Sequence, residues 1–238
     1  MSLWSDMEDK NGKLDVRKEE LPSIVFSDKL TFSDDEKKRI EKPIIEMHQH
    51  PSVFTLKEVK EQLVTEVFVS EKREYLGSYL IDRILLPEKE EVMEKKKRRL
   101  LEYKIPILGE YISSEKKIIL YINNIKDVPP GPVGMYGNLL TIMRYVYLHE
   151  LMHAYFDRNH NHKYIYEIEE GFAEFGALLC LKELISENKA ESEELDWALS
   201  YVASKEDVIH CYSYGATLFS RYKDLDDEAA KQMLRSYL

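Results

Sequence analysis

Cysteine is scarce in this sequence, and long apolar runs are missing. The 238 residues include two cysteines, Cys180 and Cys211, which are too few for a disulfide framework and match no metal-binding spacing with each other. No stretch of about 18 apolar residues is present to span a bilayer, and the N-terminus has no apolar core of the kind a signal peptide requires. We therefore expect a cytoplasmic protein with no membrane contact and with both cysteines as buried thiols.

An excess of basic residues is also missing. The chain has 34 lysine and arginine residues against 44 aspartate and glutamate residues, a formal net charge of −10. Because this charge repels a phosphate backbone, we expect no nucleic-acid partner. The hydrophobic fraction of 44% allows a sizeable core, so the chain is expected to be globular, with one large domain or two small ones.

The pattern along the chain predicts an α+β fold that is mainly helical. Residues 1–20 are polar, charged and without periodicity, which predicts a flexible tail. Ser33–Glu36 and Thr55–Glu58 both match the capping box, in which a hydroxyl and a carboxylate satisfy the first amides of a helix. Another helical pattern starts near residue 71. These signals together predict a helical N-terminal region over residues 21–104.

The remaining region, residues 105–238, begins with the clearest strand signal in the sequence. The segment IPILGEYISSEKKIILYI has two short runs rich in Ile, Leu and Tyr on either side of Ser113–Lys116, which predicts a β-hairpin. A loop rich in proline and glycine follows, and apolar periodicity then predicts four helices. Their predicted ranges are 139–158, 167–186, 193–204 and 208–222.

The first of these four helices carries the segment YLHELMHAYFD, from Tyr147 to Asp157. Its two histidines, His149 and His153, lie four positions apart, so both rings project from one helix face about 6 Å apart along the axis. Two imidazole nitrogens at this spacing can bind one ion. A catalytic zinc takes three protein ligands at about 2 Å and leaves the fourth position to water, so the site requires a third ligand.

The following helix, YEIEEGFAEFGALL, supplies that ligand. Its Glu170 follows His153 with enough intervening chain for the second helix to turn back against the first. Glu174 comes one turn later and lies on nearly the same face. A metal-bound histidine usually donates its other ring N–H to a carboxylate, and Glu174 can fill that role.

HELMH followed by an EEGFAEF helix resembles the gluzincin zinc metallopeptidases. HELMHAYFD is similar to the corresponding segment of thermolysin-like enzymes, and EEGFAEF is similar to a segment of the M1 aminopeptidases, with Glu169 standing where they have asparagine. The resemblance implies one Zn²⁺ per chain, with His149, His153 and Glu170 as its ligands and Glu150 as the general base. It also implies a zincin-like metallopeptidase domain over residues 105–238.

The resemblance implies supporting roles for further residues. Glu174 and Asp157 would orient the ligand histidines without binding the metal themselves. Tyr212 lies in a Tyr-x-x-Gly segment similar to that of the M1 enzymes, whose tyrosine stabilises an oxyanion, and it is expected to serve the same purpose. His210 and Tyr214 are the alternatives for this donor.

The predicted function is that of a zinc-dependent peptidase, an endopeptidase acting on a peptide or protein substrate. Zinc lowers the pKa of its bound water to about 7, and Glu150 would take the proton. Residues 118–122 are the expected edge strand for an extended substrate. Two alternatives stay open: a regulatory peptidase of one protein partner, similar to the ImmA/IrrE group, and a non-catalytic interaction module with a structural metal.

Overall fold

The computed structural model describes residues 21–49, 63–75, 105–128, 139–159, 166–204 and 210–222, together with residue 229. Within these residues the fold is α+β and mainly helical, as the sequence predicts. Its strands are β1 (Ser23–Phe26), β2 (Glu66–Ser70), β3 (Gly109–Ile112) and β4 (Lys117–Tyr121). Its helices are α1 (Asp34–Gln49), α2 (Ile122–Lys126), α3 (Leu139–Asn159), α4 (Tyr166–Ser186), α5 (Ser192–Ser204) and α6 (His210–Tyr222).

The strands form one mixed sheet in the order β1-β2-β4-β3. β1 is parallel to β2 and β2 is parallel to β4, whereas β3 is antiparallel to β4. The predicted hairpin is confirmed, with Ile112 opposite Lys117 and a tight turn in which Lys116 has a φ of 49°. The sheet draws strands from both sides of the predicted boundary near residue 105.

The edge strand of the hairpin differs from the one expected. The prediction that residues 118–122 form the edge is wrong, because β4 lies inside the sheet and Ile122 already begins α2. The reason is the burial of β4, whose Ile118 and Leu120 have no exposed surface. A strand with such a buried face is favoured between two neighbours. The more polar β3 takes the edge instead.

The N-terminal region also departs from its prediction, since β1 and β2 lie where only helices were expected. Both strands have at most five residues and pair with segments distant in sequence, so local periodicity gives them little signal. The helix expected from about residue 71 does not begin there, and Tyr75 forms an isolated bridge with Pro106. The tail over residues 1–20 and the Thr55–Glu58 signal lie outside the described residues.

Helix α1 begins at its predicted capping box. The backbone N–H of Ser33 donates to Glu36 Oε2 at 2.8 Å, and the backbone N–H of Glu36 donates to Ser33 Oγ at 3.3 Å. These reciprocal bonds satisfy amides that lack partners at a helix start. At the other end of α1, His48 Nδ1 lies 3.0 Å from the hydroxyl of Tyr147, which joins α1 to α3 within the core.

Helix α4 lies between α3 and α6, and two glycines permit its close contacts. A Cβ at Gly176 would lie 2.5 Å from Met152 Sδ on α3, and a Cβ at Gly215 would lie 2.6 Å from the carbonyl oxygen of Gly171 on α4. A larger residue at Gly215 would meet the backbone of α4 and displace a helix, whereas at Gly176 it would require the Met152 side chain to move. None of the described helices is long and apolar enough to cross a membrane.

Candidate metal centre

Three of the predicted site residues meet where α3 faces α4. The Nε2 atoms of His149 and His153 lie 3.2 Å apart. A carboxylate oxygen of Glu170 lies 3.3 Å from His149 Nε2, and the other lies 3.5 Å from His153 Nε2. Among the described residues, these three form the one group of His, Cys, Asp and Glu side chains that could hold a metal ion.

The separations between these atoms fit a tetrahedral cation. Zinc bonds of about 2.0–2.1 Å to nitrogen and oxygen place neighbouring ligand atoms of a tetrahedron about 3.3 Å apart. The separation of 3.2 Å between the two nitrogens lies close to that edge length, and each nitrogen lies 3.3 or 3.5 Å from a different oxygen of the Glu170 carboxylate. Two imidazoles and a carboxylate are a donor set used by catalytic zinc, and they also suit other divalent first-row metals. The residues therefore fit a divalent cation.

Glu174 lies behind His149, next to its far ring nitrogen. Its Oε1 atom is 3.6 Å from His149 Nδ1, and its Oε2 atom accepts a hydrogen bond from the hydroxyl of Tyr145. Burial lowers the pKa of His149, but the carboxylates of Glu174 and Glu170 raise it, and the pKa ends well above its ordinary value. Sequence reasoning missed Tyr145, although it lies one helical turn before His149 and so shares its face.

Glu169 lies behind His153, and sequence reasoning gave it no role. Its Oε1 atom is 3.0 Å from His153 Nδ1. Burial lowers the pKa of His153, but Glu170 and Glu169 outweigh this effect, so the pKa lies above its ordinary value. The adjacent glutamates were visible in the sequence. The way in which α4 crosses α3 decides which glutamate can bind an ion and which contacts a histidine ring. A sequence does not show that crossing.

Glu150 is buried beside the cluster, under the edge strand. A Cβ at Gly109 of β3 would lie 2.9 Å from Glu150 Oε1 and 2.7 Å from Val146 Cγ1, so glycine is needed where β3 crosses α3. Burial raises the pKa of Glu150 to about 7, against the opposing effect of the two neighbouring histidines. A carboxyl group with this pKa can both accept and release a proton near neutral pH.

Asp157 contacts the hairpin. Its Oδ2 atom accepts hydrogen bonds from Ser113 Oγ at 2.7 Å and from the Tyr111 hydroxyl at 3.3 Å. Burial and the Asp157 carboxylate together raise the pKa of Tyr111. These bonds join the last turns of α3 to the edge strand and its turn. They give Asp157 a role in placing β3 over the site.

Helices α4 and α6 pack against each other. The ring pairs Phe172–Tyr214 and Phe175–Tyr222, with centroids 6.1 and 6.3 Å apart, advance together along the two helices. The beginning of α6 is therefore beside the beginning of α4, the end that carries Glu170.

The predicted oxyanion donors belong to this part of α6. Tyr214 is 41% exposed and packs edge-on against Phe172. The backbones of His210 and Tyr212 are helical, and their side chains lie outside the described part of the chain. Tyr212 precedes Gly215 by about one turn, and Gly215 contacts α4 at Glu174.

No protein-family model matches the chain, and no curated protein or solved structure matches it either.

Proposed function

We propose that the protein is a zinc-dependent peptidase of the gluzincin type, with a zincin-like fold around the metal. The observation that carries this proposal is the convergence of His149 Nε2, His153 Nε2 and the Glu170 carboxylate within 3.2–3.5 Å contacts, with Glu150 buried next to them. A structural zinc takes four protein ligands, whereas three ligands beside a carboxylate leave a position for water. The donor set therefore favours catalysis over a structural clamp.

Each residue around this centre is proposed to have its own role in peptide hydrolysis. When bound, zinc supplies Lewis acidity and lowers the pKa of a water molecule to about 7. Glu150 accepts the proton of the attacking water and returns it to the leaving amine, a role supported by its burial beside the cluster. Tyr212 is proposed to donate to the oxyanion, which is supported by the start of α6 lying beside the start of α4.

The substrate is proposed to lie along β3. This strand pairs with β4 on one side, and none of the described strands pairs with its other side. An extended peptide can add to such an edge through backbone hydrogen bonds, and Gly109 brings this edge against Glu150. Peptides with a single backbone N-methyl group at successive positions provide the test. Cleavage should be lost at alternate positions near the scissile bond, and equal cleavage of the whole series would exclude strand addition.

Elemental analysis of the purified protein tests the metal centre. We expect one zinc per chain in the wild type and a loss of zinc in His149→Ala and in Glu170→Ala. His48→Gln is the matched control, because His48 is a buried histidine that contacts Tyr147 outside the cluster. Equal metal content in all four proteins, or none in the wild type, would contradict the proposal.

Glu150→Gln then separates catalysis from metal binding. This variant should keep its zinc and lose peptide cleavage by a factor of about 10²–10⁴, the usual contribution of a general base. If the wild type holds zinc and cleaves no peptide of a diverse library, the non-catalytic interaction module becomes the better account. If it cleaves only one protein, which Glu150→Gln retains uncut, the regulatory peptidase is favoured.

A further inference from the structure

A line of buried contacts runs from Tyr145 through Glu174 to His149, which is a candidate metal ligand. The Tyr145 hydroxyl donates to Glu174 Oε2, and Glu174 Oε1 lies 3.6 Å from His149 Nδ1. Tyr145 and Glu174 are each 2% exposed. The proposed reaction assigns no step to Tyr145.

Aromatic residues of α5 fix the ring of Tyr145. Trp197 and Tyr201 both contact it edge-on, with centroids 5.8 and 6.2 Å away, and they stack on each other at 5.2 Å. Edge-on contacts of this kind restrict a ring to a narrow range of orientations. Packing against α5, which contributes none of the candidate ligands, therefore helps to hold the Tyr145 side chain in place.

In its bond to the Glu174 carboxylate, the hydroxyl of Tyr145 is the donor. Burial and the Glu174 carboxylate raise the pKa of Tyr145 well above its ordinary value, so the hydroxyl keeps its proton. With Oε2 occupied by this bond, Oε1 is the oxygen that faces His149 Nδ1. A carboxylate in this position favours the tautomer with a proton on Nδ1 and leaves Nε2 free for a cation.

We propose that Tyr145 is a positioning residue of the metal centre, which holds the Glu174 carboxylate so that it orients His149. The proposal rests on the proposed zinc site and extends it, because it makes metal affinity depend on the packing of α5. Tyr145 acts through Glu174 and touches no reacting atom.

Tyr145→Phe tests the proposal, since it keeps the ring and removes only the hydroxyl. Zinc affinity of the metal-free protein, measured by competition with a chromophoric chelator, should fall by about tenfold, as for other groups that orient metal ligands. The absorption spectrum of the cobalt-substituted protein should change as well. Tyr147→Phe is the matched control. It removes a buried hydroxyl from the same helix, but that hydroxyl contacts His48, so affinity and spectrum should stay as in the wild type.

A double-mutant cycle with Glu174→Gln shows whether Tyr145 acts through Glu174. The effect of Tyr145→Phe should nearly disappear in the Glu174→Gln background, whereas independent effects would multiply. Unchanged affinity and spectrum in Tyr145→Phe, or fully multiplicative losses, would overturn the inference. If Tyr145→Phe fails to fold, Trp197→Phe replaces it, and an unchanged cobalt spectrum there would also overturn the inference. A wild type without zinc would instead contradict the proposed function itself.

Discussion

The two candidate ligand histidines are backed by glutamates in opposite environments. Behind His149, Glu174 is 2% exposed and bonded to Tyr145, whereas the Glu169 side chain behind His153 is 40% exposed. The exposed pair is the shorter one, at 3.0 Å between Glu169 and His153 against 3.6 Å between Glu174 and His149. Water screens the exposed charge, and a buried charge acts in a lower dielectric. We therefore expect the longer, buried contact to matter more for metal binding.

The largest effect should come from pH, because it acts on both histidines together. Their pKa values lie above the ordinary value, so both rings must give up a proton when a cation binds. Below both pKa values, zinc affinity should fall by about tenfold per proton for each pH unit. Chelator competition between about pH 6 and pH 8 measures this slope. A flat profile would contradict the assignment of both histidines as ligands.

The stability of the metal-free protein should change with pH in the opposite direction. Histidines with raised pKa values stabilise the fold below about pH 6.5. This contribution is lost as the pH rises through the pKa values that the histidines have in the folded chain. Glu150 also stabilises the fold less as the pH rises, because its pKa of about 7 in the folded chain exceeds its value in the unfolded chain. The melting temperature should therefore fall as the pH rises in the presence of a chelator. With zinc present, the stabilisation by the metal should grow over the same range.

Glu174→Gln should have the next largest effect. Loss of a buried carboxylate behind a ligand histidine typically weakens metal binding by about 10–100-fold. The amide of the introduced glutamine also has an N–H₂ group, which competes with the amide oxygen for the contact with the Tyr145 hydroxyl. Zinc competition at a fixed pH gives the affinity, and the far-ultraviolet circular dichroism of the metal-free variant verifies its fold. An affinity within twofold of the wild type would mean that Glu174 only fills space.

Glu169→Gln is the matched change on the exposed side, and its effect should be smaller. Screening limits an exposed ion pair to about 0.2–1 kcal/mol, which corresponds to a loss of zinc affinity of about 1.4-fold to fivefold. The loss should shrink further at high salt, whereas that of Glu174→Gln should persist. If Glu169→Gln were the more damaging of the two, distance rather than burial would decide the strength of these contacts.

Asp157→Asn should have the smallest effect and should lower stability without changing zinc affinity. The variant weakens the bonds from Ser113 and Tyr111, which costs about 0.5–1.5 kcal/mol of unfolding free energy per bond. Chemical denaturation measures this loss. Zinc affinity should be unchanged, because the described contacts of Asp157 point to β3. A clear loss of affinity would instead support the sequence-based expectation that Asp157 orients a ligand histidine.

Local patterns predicted the parts of the fold that depend on neighbouring residues. The Ser33–Glu36 capping box, the hairpin and the helices from α3 onward each carry their own signal in spacing, and the structure contains them. Helical spacing also selected His149, His153 and Glu170, which the structure brings together. The sheet order, the edge position of β3 and the contact of Glu169 with His153 depend on how distant elements pack. No single segment encodes them.

One ion held by residues of two helices would also hold those helices together. His153 on α3 and Glu170 on α4 would be joined through the metal, and the chain between them would become a closed loop. Unlike a disulfide, such a link opens on unfolding, because the unfolded chain no longer brings the three ligands together, so the ion stabilises the fold by binding the folded chain alone. The melting temperature of the protein should therefore rise with the concentration of free zinc.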